Sequence, residues 1–181
     1  MDAGPEGDRY DVARRALSRI AHAVAIVGAA HGGERSCGTG TCMYVSLSPA
    51  MLAIAEHTGS RTTRLIRESG EFSVSLLDQS QQGLAAAAGR SAAGPDKFTT
   101  LGIGAAEPPA GLRAPAVDGS PAILWCRVVQ MLPTGDHLLF VGEVVSFRVG
   151  VASSGPLLRF GRRYARLGET TSDESPEGYP T

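Results

Sequence analysis

The stretch Cys37-Gly38-Thr39-Gly40-Thr41-Cys42-Met43-Tyr44-Val45-Ser46-Leu47-Ser48-Pro49 decides how the rest of the chain is read. Its first half interleaves glycines with hydroxyls, and its second half turns apolar and ends at a proline. Glycine lets a flat ligand approach the backbone closely, and Thr39 and Thr41 set hydroxyls beside main-chain N–H groups. An edge strand with a bulge is the competing reading, and taken alone the segment favours it. Towards the N-terminus lie an apolar run, residues 23–30, and the turn His31-Gly32-Gly33-Glu34. A hairpin is therefore expected between that run and the segment starting at Arg35. Towards the C-terminus, Pro49 limits a strand and Met51 to Glu56 is the next strand candidate.

Further out, Ser60 can cap a helix over residues 60–69, with Leu65 and Ile66 inward and Gly70 as its left-handed stop. Asp8 can cap an earlier helix whose apolar stripe is Val12, Ala16, Leu17 and Ile20. Phe72 to Leu76 alternates with period two, the pattern of a half-buried strand. Residues 81–88 have high helix propensity. Residues 94–119 are rich in Gly, Ala and Pro and read as a long surface excursion. Two long strands follow, residues 122–132 and 137–149, joined by Pro133-Thr134-Gly135-Asp136, and residues 156–167 make a last ordered segment. The fold class expected is mainly β with short helices (α+β), mostly antiparallel, a closed or nearly closed barrel of six or seven strands. The expected division is an extension over residues 1–10, one domain over residues 11–168 and a disordered tail over residues 169–181.

The balance of 17 basic and 18 acidic side chains leaves a net charge of −1, without the electrostatic footprint of a nucleic-acid binder. No apolar run is long enough for a bilayer and residues 1–9 lack a signal-peptide core, so no membrane partner and a cytoplasmic location are expected. Three cysteines argue against a disulfide framework, and Cys37 and Cys42 have no second pair at metal-finger spacing, so no metal is expected. Gly38-Thr39-Gly40 begins like a dinucleotide fingerprint, but Met43 stands where the third glycine belongs. A phosphate-binding Gly-x4-Gly-Lys loop, HExxH and a Gly-x-Ser-x-Gly elbow are all missing from the sequence, so hydrolytic chemistry has no support. Gly59-Ser60-Arg61-Thr62 is a second signal. A helix N-terminus with an adjacent guanidinium suits a phosphate, although Ser60 as a mere cap and Arg61 as a solvated cation explain it equally well.

In order, the small and hydroxyl residues, Val45-Ser46-Leu47-Ser48-Pro49, Ser60-Arg61-Thr62 and Ser69-Gly70-Glu71-Phe72-Ser73-Val74-Ser75-Leu76-Leu77 resemble the flavin reductase-like family. The resemblance continues through Asp96-Lys97-Phe98, Gly135-Asp136-His137, Val141-Gly142-Glu143-Val144 and Pro156-Leu157-Leu158. It implies an FMN-binding split β-barrel with Gly38, Thr39, Gly40, Thr41 and Cys42 along the flavin and Ser46 nearby. It also implies Ser60, Arg61 and Thr62 on the flavin phosphate, and His137 on the nicotinamide side as the catalytic residue. His137 as an ordinary turn residue is the alternative. Arg162, Arg163 and Tyr164 are in reach of a dinucleotide phosphate or simply solvated. The activity implied is an NAD(P)H:flavin oxidoreductase, with FMN or FAD and with NADH or NADPH, a homodimer that supplies reduced flavin to a partner monooxygenase. A flavoprotein that retains its flavin and acts on an organic substrate, or a non-catalytic flavin- or haem-binding module, are the alternatives. Two departures stand out. Ser48-Pro49-Ala50 keeps one of the two prolines the family commonly has, and the bulky Met43 and Tyr44 occupy the flavin strand, where Tyr44 is expected to narrow the site or change which flavin fits.

Overall fold

The computed structural model describes residues 5–90 and 94–168. The expected disordered tail, residues 169–181, lies outside them, as do the first four residues of the expected extension. The elements are α1 (Pro5–Leu17), β1 (His22–Ala23), β2 (Ala25–His31), β3 (Glu34–Gly40), β4 (Cys42–Leu47), β5 (Ala50–His57), α2 (Arg61–Ser69) and β6 (Glu71–Leu76). A 3-10 turn (Gln79–Gln81), α3 (Gln82–Ala88), α4 (Lys97–Leu101), β7 (Ala105–Ala106) and β8 (Ala116–Val117) lead to β9 (Ala122–Thr134) and β10 (His137–Val149). β11 (Leu157–Phe160) and β12 (Arg163–Arg166) complete the described fold.

A seven-stranded sheet in the order β3-β2-β6-β9-β10-β5-β4 carries the molecule, and its ladders are all antiparallel. β1, β11 and β12 form a small second sheet. The expected antiparallel, mainly β class with short helices is what the chain adopts. The sheet is not a closed barrel: β3 and β4 are its two edges. These edges are nonetheless consecutive in the chain, with only Thr41 between Gly40 and Cys42. Two peptide steps span at most about 7 Å. The sheet therefore curls until its edges nearly meet at Thr41, and the ladder stays split beyond that point.

Inside the curl, Val27, Leu52, Ile54, Phe72, Val74 and Phe140 pack with Leu65 and Ile66 of α2. The expected helix is present with the expected signals: Ser60 caps it, and Gly70 ends it at φ 72° with its N–H on the Ile66 carbonyl. On the outer face of β2 and β3, Ile26, Cys37, Ala85, Ala88 and Phe98 form a second core with α3 and α4. β6 lies between layers and is buried on both faces from Glu71 to Ser75, which corrects the half-buried strand expected from its alternation. Its alternate serines survive burial because Ser73 donates to the Pro115 carbonyl at 2.6 Å and Ser75 accepts from Val117 N–H at 2.9 Å.

Those two bonds also correct the reading of residues 94–119 as a surface excursion. The segment lies on the sheet and buries Phe98, Ile103, Ala106, Ala114, Ala116 and Val117. It comes so close that a Cβ on Gly28 would stand 2.0 Å from the Pro115 carbonyl oxygen. At the N-terminus, α1 begins at Pro5 rather than after Asp8, so the boundary drawn at residue 10 falls inside a helix. Its expected apolar stripe does not pack: Val12 and Leu17 are exposed, and Ile20 lies beyond the helix and is exposed as well.

Candidate functional site

The N-terminus of α2 is fixed on the end of β5. Ser60 Oγ accepts from Thr63 N–H at 3.0 Å, and the Thr63 hydroxyl donates to the His57 carbonyl at 2.8 Å. A helix start leaves first-turn N–H groups without intrahelical acceptors and carries the positive end of the dipole. The Arg61 guanidinium donates to the Gly94 carbonyl. Thr62 is buried, and its hydroxyl shares a 3.0 Å hydrogen bond with Ser36 of β3.

The β3 wall is held from outside. Lys97 is buried, and its ammonium donates to the carbonyls of Cys37 at 2.8 Å and Ala88 at 2.7 Å, so one side chain ties β3 to the end of α3. Burial lowers the pKa of this ammonium. Asp96, which caps α4, forms an ion pair with Arg35 at 2.6 Å. Thr39 Oγ1 donates to the Ala85 carbonyl at 2.5 Å. Cys37 is buried and its thiol is pushed up to about 11 by that burial, so it stays neutral and is no nucleophile at ordinary pH.

His137 opens β10 directly opposite His57 of β5, and the two rings meet edge to face with centroids 5.7 Å apart. Asp136 Oδ1 lies 2.7 Å from His137 Nδ1, a bond that holds the Asp136 carboxyl below its usual range. The expected hairpin turn is therefore present, and it presents His137 into a cavity.

That cavity, of about 450 Å³, is bounded by Gly38 and Thr39, by Glu56 and His57, by Ser60, Arg61 and Thr62, by Ala88, Gly89 and Arg90, and by Lys97 and His137. A second cavity of about 500 Å³ shares Thr39, Ala55, Gly89, Arg90 and His137 with it and adds Gly40, Thr41, His22, Arg159 and Tyr164. Eight expected positions are thus brought together: Gly38, Thr39, Gly40, Thr41, Ser60, Arg61, Thr62 and His137. Cys42 and Ser46 line neither cavity. Cys42 packs against the inner core, and Ser46 sits on the far-edge strand opposite Met51. Tyr44 is on that strand too, 67% exposed and away from both cavities, so within this chain it does not narrow the site. Tyr164 lines the second cavity, whereas Arg162 and Arg163 are exposed and line neither.

The donor set suits a flavin nucleotide. The cavity's cations are Arg61 at the helix start, Arg90 and Lys97, with Glu56 as the single carboxylate among its side chains. Gly38, Ala88 and Gly89 leave wall surface without bulk for a flat ring. A family model described as a flavin reductase like domain matches residues 17–168. The chain belongs to this family. Among curated relatives of this flavin reductase like domain is the reductase component of 4-hydroxyphenylacetate 3-monooxygenase from Thermus thermophilus. It is 33% identical over 156 residues, which cover 85% of this chain and 94% of that protein. The NADH-dependent FMN reductase AsuE2 of Streptomyces nodosus subsp. asukaensis is 29% identical over 171 residues, 92% of this chain and 89% of its own. Among solved structures, the NADH:FAD oxidoreductase SgcE6 of Streptomyces globisporus matches with a TM-score of 0.80 at 25% identity, over 93% of this chain and 98% of that one.

Sequence reading did not single out Glu56, Arg90 or the clamp made by Lys97. For Glu56 the signal was available: Leu52 and Ile54 face the core, and period two places Glu56 on the same inward face.

Proposed function

We propose that this flavin reductase like domain is an NAD(P)H:flavin oxidoreductase that passes reduced flavin to a separate monooxygenase. The observation that carries the reading is the pair of adjoining cavities sharing His137, one bounded by the start of α2 and Arg61, the other by Arg159 and Tyr164. Two such spaces suit two nucleotides side by side. The Thermus relative, a monooxygenase reductase component, and the two Streptomyces relatives, an NADH-dependent FMN reductase and an NADH:FAD oxidoreductase, support the same reaction.

In this reading Ser60, Arg61 and Thr62 hold the flavin phosphate through the helix start and the guanidinium. Thr62 offers its backbone N–H at the helix start, while its hydroxyl shares a hydrogen bond with Ser36. Gly38 to Thr41 form the wall beside the ring, and His137 orients the nicotinamide. Cys42 and Ser46 take no direct part. When bound, the flavin supplies the ring that accepts the hydride, so no protein nucleophile is required. The chain's contribution is to hold both rings at reacting distance and to exclude water.

We further infer a homodimer built on the exposed edge. β4 exposes Met43, Tyr44 and Leu47, and β9 and β10 add Met131, Leu132 and Phe147. A long apolar edge strand left open invites pairing with another chain, and a two-fold copy is its simplest cover.

The test is flavin titration of the purified chain followed by NADH and NADPH oxidation with excess free flavin. Multiple turnovers with a released flavin are expected. Arg61→Ala should weaken FMN affinity about tenfold or more, the scale of one charge-assisted contact. Unchanged affinity would remove Arg61 from the phosphate site. A flavin that is retained without nicotinamide oxidation would favour a binding module instead.

A further inference from the structure

Glu56 is the one carboxylate among the side chains of the first cavity, and the fold leaves it without a hydrogen bond among the described residues. It is 7% exposed, at the end of β5 where the sheet is split from β3. Its carboxyl lies against two glycines of that opposite edge: a Cβ on Gly38 would stand 3.3 Å from Oε2, and one on Gly40 3.0 Å from Oε1. A buried carboxylate without donors carries a desolvation cost, and structural acids normally recover it with hydrogen bonds. Asp78 and Asp96 do so here, each accepting several. Glu56 does not.

The groups that face it come from every neighbouring element. β3 offers the neutral Cys37 thiol. α4 offers Lys97, whose ammonium is committed to two carbonyls. His137 comes from β10, His57 from its own strand, Arg61 from α2 and Arg90 from just beyond α3. Burial raises the Glu56 carboxyl to about 7, against the opposing pull of His137 and Lys97. At neutral pH the side chain is thus divided between a form that donates a hydrogen bond and one that only accepts.

We propose that Glu56 is a ligand-contacting residue of this cavity, presenting its carboxyl proton to the hydrogen-bond acceptors of the flavin ring. The inference rests on the flavin occupying this cavity. The ring edge carries carbonyl oxygens and ring nitrogens that need donors, and the cavity otherwise offers such a ring cations and backbone amides. The neutral acid completes the set. The ionised acid removes a donor and places a negative charge beside an anionic ligand, so flavin binds the neutral form preferentially.

The test uses the full chain and FMN, followed by quenching of flavin fluorescence at about pH 6 and about pH 8.5. A site that binds only the neutral acid loses up to about 30-fold in affinity across that range. Glu56→Gln keeps an N–H donor and cannot ionise, so its affinity should stay near the low-pH value of the unmodified chain at both pH values. The FMN phosphate titrates alike for both proteins and cancels in the comparison. His137→Asn should retain the steep profile. A Glu56→Gln protein with the profile of the unmodified chain overturns the proposal. So does a change in ligand-free melting temperature with no change in the binding profile, the result of a purely structural role. A second measurement needs no variant: the Glu56 carboxyl resonance of the 13C-labelled chain should titrate at higher pH once FMN is added, and an unmoved midpoint also overturns the assignment. Absence of FMN binding at both pH values would instead sink the flavin reading itself, and this inference with it.

Discussion

His137 lines both cavities and is anchored by Asp136 on one side and the edge of His57 on the other. Replacing it with Asn removes the ring while keeping a polar side chain at the turn. The expected result is about tenfold slower nicotinamide oxidation, with FMN affinity changed less than about twofold, measured by steady-state kinetics beside a binding titration. Unaltered turnover would return His137 to the role of a turn residue. At this scale the sequence was readable where chemistry and position coincide. Gly38 and Thr39, small or hydroxylated, bound the first cavity, and Ser60 caps a helix whose start bounds it too. Cys42 and Ser46 line neither cavity of the single chain because one residue, Thr41, carries the chain from one sheet edge to the other. The change from glycine and threonine to Cys-Met-Tyr-Val marks that crossing. Glu56 escaped notice because it closes an apolar run, where a charge reads as a strand end rather than as an inward-facing acid.

Elements were legible where local signals are complete. The Gly32-Gly33 turn, the Ser60 and Gly70 caps and the two long strands all appear where expected. Residues 94–119 were not, because their burial comes from the flat small surfaces of Ala114, Ala116 and Val117 and from Phe98 and Ile103, without a helical or strand period to announce it. The same limit hid the latch at Asp78. Its carboxylate accepts from the Ser80 N–H and hydroxyl at 2.9 and 2.5 Å and from the Ser153 N–H and hydroxyl at 3.0 and 2.7 Å. It thereby joins the turn before α3 to the approach to β11. The Ser80 hydrogen bond, aided by Ser153 and opposed by burial, holds this carboxyl down to about 2. A depressed carboxyl stabilises the fold above its unfolded value and loses that contribution as pH falls through the folded one. Asp78→Asn is therefore expected to cost about 2 kcal/mol near pH 7 and progressively less from pH 4 towards 2. Denaturant unfolding of both proteins across that window measures it, and a constant difference at all pH values would show that the charge is not what matters.

The whole molecule is a sheet rolled almost shut, with the candidate site in the gap between β3 and β5 and apolar strand surface on the β4 edge. Tyr44 is 67% and Leu47 70% exposed on that edge. A dimer is expected in sedimentation at micromolar concentration, and Leu47→Asp should shift it towards monomer by placing a charge in the seam. A chain that sediments as a monomer before any substitution would remove the dimer from the account. The antiparallel class was visible from strand lengths and turns, but the opening of the barrel was not. Closure depends on whether β3 and β4 pair, and both have sequences suited to pairing with something.

Lys97 is the only lysine in the sequence. Its amine donates to the carbonyls of Cys37 and Ala88 on the wall of the first cavity, so reagents that acylate lysine side chains have one target, reached through that cavity. Acylation there is slowed by a ligand that fills the cavity. The protein thus contains its own single-site reporter, and the rate at which that one amine is labelled reads how much of the site is empty without any probe being introduced.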